Sequence, residues 1–286
     1  MDDWEKAGKI TAEAREFGRK LVKENTLAIE IAEKIEKKII DLGGKPAFPV
    51  DVSINHIAAH ASPLINDQTK IKKGDLVKLD LGASVNGYMG DTACTVEVGT
   101  KKYEKMIQAT EEALKEALKL AKPNTKVCEI GDAIQKKIEE YGYTSIHNLS
   151  GHEIKQYTIH AGITVPNFNN NDKRELKEGM IVAIEPFATD GEGRVMEGKP
   201  SNVFSLENIK PIRNTNARKV LSYIQKNYKT MPFSARWLKF PNINFILRLL
   251  EKEGIIKQYP QLVERRKGFV TQAEHTIKVG EKVLTA

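Results

Sequence analysis

The sequence predicts an α+β protein in which β-hairpins alternate with paired helices and into which a separate helical unit is inserted. Three observations carry that reading. Alternating apolar and polar residues flank Asn86-Gly87, a strong hairpin-turn dipeptide. Apolar residues at helical spacing recur in two successive pairs of segments, 2–22 with 27–42 and 102–121 with 126–141. The basic excess is confined to one block: Val203 to Pro260 holds eleven Lys or Arg against three acids, a local +8 within a chain whose formal charge is only +7.

Each element follows from local signals. Leu27, Ile31, Ile35 and Ile39 form one helical stripe, and Gly43-Gly44 stops it. Pro46 and Pro49 force an extended segment, after which Val50 to Ile54 alternates as a strand. The hairpin spans Asp75 to Val98, and Pro123-Asn124 separates the second helix pair. Strand-like pieces follow at 150–163 and 179–186. The basic block then carries helices at 216–228 and 243–253, and a strand pair at 268–278 and 281–285 closes the chain. The expected division is a catalytic unit of residues 1–202 and 260–286 around a basic insertion of 203–259.

The hairpin geometry can be worked out from the turn. With Asn86 and Gly87 as its two central residues, Val85 pairs with Tyr88 and Gly82 faces Asp91. Asp80 then lies on the same face as Asp91, a diagonal neighbour with Cβ atoms roughly 7–8 Å apart or less. Two carboxylates reaching toward one point would raise one another's pKa unless a cation sits between them. Asp80 is also set among Val77, Leu79 and Leu81, where an unpaired carboxylate is costly. Taken alone, the hairpin leaves solvated aspartates open as an alternative.

Four further signals are weak singly: Ser150-Gly-His152, Thr158-Ile-His160-Ala-Gly162, Ile184-Glu185-Pro186 at the end of an apolar run, and Gln272-Ala-Glu274-His275. Together, two Asp, one His and two Glu make a donor set suited to divalent transition metals in hydrolytic roles. His56 and His60 are four residues apart, but Ile57 stands where a zincin motif has glutamate. His275 adjoins Glu274 on a strand and so points to the opposite face. Cys94 and Cys128 sit in no CxxC spacing, and Cys94 is expected to be a buried thiol.

The ordered motifs Pro46-Ala-Phe-Pro49, Ala58-Ala-His60, Lys78-Leu-Asp80-Leu-Gly82, Gly90-Asp91-Thr92, Ser150-Gly-His152, His160-Ala-Gly162, Ala183-Ile-Glu185-Pro186 and Glu274-His275-Thr276 closely resemble methionine aminopeptidases. The 89-residue interval from Glu185 to Glu274, filled by the basic block, resembles their type 2 class in an archaeal form. The resemblance runs from about residue 2 to the end. It implies the pita-bread fold and removal of the initiator methionine from nascent chains by water, with a small second residue preferred.

The resemblance also implies two divalent ions, Co, Mn, Fe or Zn. Asp80 would chelate one ion, Asp91 and Glu274 would bridge both, His152 would complete one site and Glu185 the other. Glu185 would double as general base, His60 and His160 would contact the scissile peptide, and Phe48 would line the methionine pocket. Two competing readings share the fold: an Xaa-Pro peptidase, and a catalytically inactive relative bound to RNA or ribosomes. A cytoplasmic protein is expected, since the charged start has no apolar signal core and no apolar run can span a bilayer, and the resemblance implies a monomer. Lys226, Lys229 and Arg236 are the expected contacts if the basic block meets the ribosome.

Overall fold

The computed structural model describes residues 1–286. Its N-terminal helix α1 (Asp3–Leu21) starts on a capping box: the Asp2 carboxylate accepts the Glu5 amide at 2.8 Å, and the Glu5 carboxylate accepts the Asp2 amide. The buried face of α1 includes Ala7, Gly8, Ala14 and Gly18. These small residues allow a close approach, since a Cβ on Gly8 would lie 2.3 Å from the Leu284 carbonyl oxygen. Helix α2 (Ala28–Asp41) packs beside it through Ile31, Ile35 and Ile39, the stripe expected from the sequence.

Three short strands follow: β1 (Lys45–Pro46), β2 (Asp51–Ile54) and β3 (Ile57–Ala59). The hairpin of β4 (Leu76–Val85) and β5 (Tyr88–Glu97) turns at Asn86 and Gly87, both with positive φ. Its observed register pairs Val85 with Tyr88 and Gly82 with Asp91, as the turn dictated. The second helix pair is α3 (Glu104–Leu120) and α4 (Val127–Glu140). After β6 (Thr144–Ser145), strands β7 (Ser150–Lys155) and β8 (Thr158–Pro166) form a second hairpin, longer than the expected 150–163. Strands β9 (Ile181–Ile184) and β10 (Phe187–Thr189) complete the central run.

The main sheet has the order β1-β4-β5-β15-β9-β7-β8, with β2 also on β4; β15 is Glu274–Lys278. Helices α1 and α2 back its first half over a cluster that includes Ile35, Val77, Leu79 and Leu81. Helices α3 and α4 back the other half over Met106, Ile130, Ile134 and Val182. Both pairs cover the same side, and the curved opposite side is left for the functional groups.

The basic block builds its own core. Strands β11 (Val195–Leu206) and β13 (Ile256–Glu264) pair antiparallel as its two legs. Between them come helix α5 (Thr215–Asn227), β12 (Phe233–Ser234), a 3₁₀ turn at Ala235–Trp237 and helix α6 (Ile243–Lys252). Val220, Ile224, Phe233, Ile246 and Leu250 close a separate cluster. The expected edges at 203 and 259 fall inside β11 and β13, because both legs cross from one unit to the other without a break. Neither leg was apparent in the sequence: Gly198, Pro200 and Pro260 interrupt the alternation, and the ladder shifts register at Pro200.

The closing segment also divides. Strand β14 (Val270–Gln272) pairs with β10, then Ala273 breaks the run before β15, and β16 (Lys282–Val283) folds back on β15. Both cysteines are free and buried. No helix is long and apolar enough to cross a membrane.

Candidate metal centre

The open face of the main sheet carries two adjacent rows of side chains. Along one, Asp80 lies opposite Ala93 and Ala93 opposite Glu274. One step beyond the His275–Ile184 pair brings Glu274 level with Glu185. Along the next row, Gly82 faces Asp91, whose amide donates to Thr276 Oγ1; Thr276 faces Ala183, and Ala183 faces His152. Side chains two apart on a strand share a face. Five residues scattered over nearly two hundred positions are therefore gathered on one surface by register alone.

Distances agree with that placement. His152 Nε2 lies 3.6 Å from Asp91 Oδ2 and 3.7 Å from Glu185 Oε1. Asp91, His152 and Glu274 each offer a donor atom within 4.8 Å of the others, and all three are buried. Asp80 Oδ2 accepts a hydrogen bond from Gln272 Nε2 at 2.9 Å. Glu185 and His152 stand at one end of the cluster and Asp80 at the other.

The electrostatics are those of a site short of positive charge. Burial, reinforced by neighbouring carboxylates, holds Asp91, Glu185 and Glu274 well above the usual carboxylate range. Burial raises Asp80 to about 6 against the pull of the Gln272 hydrogen bond. Burial, then the nearby His160, pushes His152 down to about 3, so its imidazole is neutral and able to ligate. Asp80 Oδ1, Asp91 Oδ1 and Glu274 Oε2 are buried without a hydrogen-bond partner. Orphaned carboxylate oxygens converging with a neutral imidazole fit divalent cations, which would supply the missing partners.

The cluster forms the floor of a cavity of about 420 Å³. Phe48, His60 and His160, all expected from the sequence, line it. His60 has a left-handed backbone, with φ of 59°, and its Nδ1 lies 3.3 Å from the Pro260 carbonyl oxygen. A carbonyl can only accept, so Nδ1 carries the proton and Nε2 is a bare acceptor. Burial, then the nearby His160, pushes His60 down to about 4. The His160 ring meets the His152 ring edge to face at 4.4 Å, and burial lowers its pKa as well.

Three lining or supporting residues were missed. Asp51 stands directly opposite Asp80 in the β2–β4 ladder. Its strand was legible, but its pairing partner was not. Gln272 could have been found, because it lies two residues before Glu274 within the single strand expected over 268–278. Tyr259, edge to face with His60 at 5.5 Å, arrives on β13, which has no sequence signature. The exclusions fared as expected: His275 turns away toward Arg15 and Thr285, and Cys94 is a buried thiol.

One expectation is overturned. Arg236 is not a surface contact but a buried residue, 6% exposed. Its guanidinium grips Glu36 of α2 with bonds of 2.7 and 2.9 Å and donates to the Pro63 carbonyl at 3.0 Å. Charge counting alone could not separate this lysine-like position from the exposed Lys219, Lys226 and Lys229.

A cluster of carboxylates and one imidazole sunk in a cleft is the donor chemistry of metal-dependent hydrolysis. The chain belongs to metallopeptidase family M24, whose family model matches residues 2–210. Within it, the likeness is to methionine aminopeptidases from end to end. The methionine aminopeptidase of Pyrococcus horikoshii is 44% identical over 290 residues, covering 100% of this chain and 98% of the relative. That of Methanocaldococcus jannaschii is 45% identical over 276 residues, covering 96% and 94%. The crystal structure of the methionine aminopeptidase from Thermotoga maritima superposes with a TM-score of 0.73 at 24% identity, over 98% of this chain and 94% of that one. The fold is the pita-bread fold.

Proposed function

We propose that the chain removes the initiator methionine from nascent proteins by hydrolysing the first peptide bond, using two divalent cations held by Asp80, Asp91, His152, Glu185 and Glu274. The observation that carries this is the convergence of those five donors at the floor of one cavity, with orphaned oxygens among them, in a chain of metallopeptidase family M24. His152 and Glu185 stand 3.7 Å apart, which supports assigning them to the same ion, with Asp80 on the other. This replaces the expectation that His152 and Glu185 serve different ions.

Bound divalent cations would acidify water toward neutrality and polarise the scissile carbonyl. The protein's own groups would do the rest. Glu185 accepts the proton of the attacking water and returns it to the leaving amine. His60, with Nε2 unprotonated, accepts a hydrogen bond from the scissile N–H. His160, neutral and at the cavity mouth, donates to the developing oxyanion. Phe48 supplies an apolar wall for the methionine side chain. An apolar pocket distinguishes one methylene by only about 1–3 kcal/mol, so crowding by the cavity walls would exclude bulky second residues.

Residues 203–259 would act as an inserted unit, its exposed lysines facing the ribosome, on a cytoplasmic monomer. The full-length identity to methionine aminopeptidases favours this activity over Xaa-Pro cleavage and over an inactive relative. The test is hydrolysis of Met-Ala-Ser beside an Xaa-Pro peptide after chelation and after add-back of Mn, Fe, Co or Zn, with Glu185→Gln in parallel. Loss of a general base typically costs 10²–10⁴-fold in rate. Cleavage that survives chelation, or full activity in the variant, refutes the mechanism.

A further inference from the structure

The main sheet has a weak seam, and the proposed metal set straddles it. Strands β4 and β5 share ten residue pairs, but β5 and β15 share only two, Thr92–His275 and Ala93–Glu274. The core under β5 includes Cys94 and belongs to the α1–α2 half, whereas the core under β15 includes Ile277 and belongs to the α3–α4 half. Yet Asp91 on β5 and Glu274 on β15 hold donor atoms within 4.8 Å of one another. Their separation therefore depends on what else fixes the seam.

Two threonine hydroxyls fix it. The register would set Asp91 opposite Thr276 on the next rung, where the ladder has ended. There Thr276 Oγ1 accepts the Asp91 amide and donates to the Asp91 carbonyl, both at 2.8 Å. On the opposite face of the sheet, Thr92 Oγ1 donates to the Glu274 carbonyl at 2.7 Å. Each hydroxyl thus grips the main chain of a metal-set carboxylate on the other strand. Both threonines are 0% exposed, and neither lines the cavity. They are also braced. Arg15 Nη1 donates to Thr92 Oγ1 and to the Thr285 carbonyl, each at 2.8 Å, and Thr285 Oγ1 accepts the Thr276 amide at 3.0 Å.

Building on the dinuclear reading, we propose that Thr276 and Thr92 are positioning residues that set the spacing of Asp91 and Glu274 across the seam, and through it the affinity for the ions. Functional constellations work only when held within about 0.5 Å of the right geometry. A ladder of two pairs leaves the ends of the seam free to spread. The hydroxyls close it from both faces without touching an ion, and the branched side chains that carry them are stiff at χ1.

The test is calorimetric titration of Mn²⁺ into the chelator-stripped protein and its variants. Thr276→Val and Thr92→Val each delete a hydroxyl and keep the branched shape. Removing a group that orients a metal ligand typically costs about 10–100-fold in metal affinity, and each variant should lose that much. Thr276→Ser returns the hydroxyl and should return the affinity. Thr189→Val is the control: it removes a likewise buried hydroxyl, which accepts the Gly191 amide at 3.0 Å on β10, outside the seam. It should lower the melting temperature and leave Mn²⁺ affinity unchanged. Wild-type affinity in folded Thr276→Val overturns the proposal. So does a Thr276→Ser as weak as Thr276→Val, or an equal loss in Thr189→Val, which would mark general loosening of the fold. Should Thr276→Val not fold, Thr92→Val decides by the same criterion. A wild-type protein that binds no divalent ion sinks the dinuclear reading itself, a result separate from these.

Discussion

Replacing Arg236 with Met should weaken the whole protein, although the residue belongs to the basic insertion. The guanidinium bonds both oxygens of Glu36 and the Pro63 carbonyl, with Ser62 Oγ at 3.3 Å. Glu36 is 6% exposed and also accepts Trp237 Nε1 at 2.9 Å. Removing the cation leaves a buried carboxylate with two neutral donors, the Trp237 indole and the Val50 amide. Breaking a buried pair on one side costs about 3–5 kcal/mol. At about 2–4 °C per kcal/mol for a chain of this size, the melting temperature should fall by roughly 6–20 °C. The double variant Glu36→Leu/Arg236→Met removes both charges and should recover part of that loss, since an apolar replacement of a whole buried pair is often close to neutral. Thermal melts of the four proteins in one buffer give the coupling directly. A shift below about 1 °C in Arg236→Met, or strictly additive losses in the double variant, would falsify the account of this pair as the fastener between insertion and body.

Three other outcomes are expected. Because Asp91, Glu185 and Glu274 are held well above the usual carboxylate range and Asp80 at about 6, the metal-free site keeps protons that ordinary carboxylates would have lost, and ion binding must expel them. Mn²⁺ titrations by calorimetry in buffers of different ionisation enthalpy should show net proton release at pH 6 and affinity that tightens as pH rises; His152, already neutral, adds none, and zero release contradicts the carboxylate assignment. Gly82→Ala would place a Cβ 2.6 Å from both the Gly90 carbonyl oxygen and Phe48 Cε1. Overpacking of that kind costs about 1–3 kcal/mol and should displace Phe48, so a lower melting temperature with a raised KM for methionyl peptides is the expected pair of readouts. Finally, charge reversal at the exposed Lys219, Lys226 and Lys229 should reduce cosedimentation with ribosomes at low salt while leaving hydrolysis of Met-Ala-Ser intact; unchanged cosedimentation rejects the ribosomal role of the insertion.

The parts of this site that sequence could supply were those fixed by local rules. A two-residue turn fixes hairpin register, so the shared face of Asp80 and Asp91 could be deduced from Asn86-Gly87 without coordinates. Strand alternation likewise turned His275 away from Glu274 correctly. Long-range pairing was a different matter. The partners of β2, β11 and β13 are set by tertiary contacts. Proline or glycine masks β11 and β13, so Tyr259 had no local signature, and β2 was legible as a strand but nothing local set Asp51 opposite Asp80. Net charge misled for a related reason: it counts Arg236 equally with Lys226, whereas burial decides which of them meets solvent.

Register also explains why this arrangement needs the cations it is proposed to hold. In a sheet, neighbouring side chains of one row are roughly 5 Å apart. Glu274 and Glu185 are neighbours in one row, Asp80 stands in the same row across Ala93, and Asp91 lies in the next, so the register itself crowds four carboxylates together. Gln272 answers one oxygen of Asp80, and three other carboxylate oxygens of the metal set stay unanswered. Had the cluster been structural, hydrogen-bond donors would be expected around it, as they are around the buried Glu264, which accepts the amides of Glu192, Arg266 and Gly268. The contrast between those two carboxylate environments in one protein argues that the cavity is shaped for positive charge brought from outside.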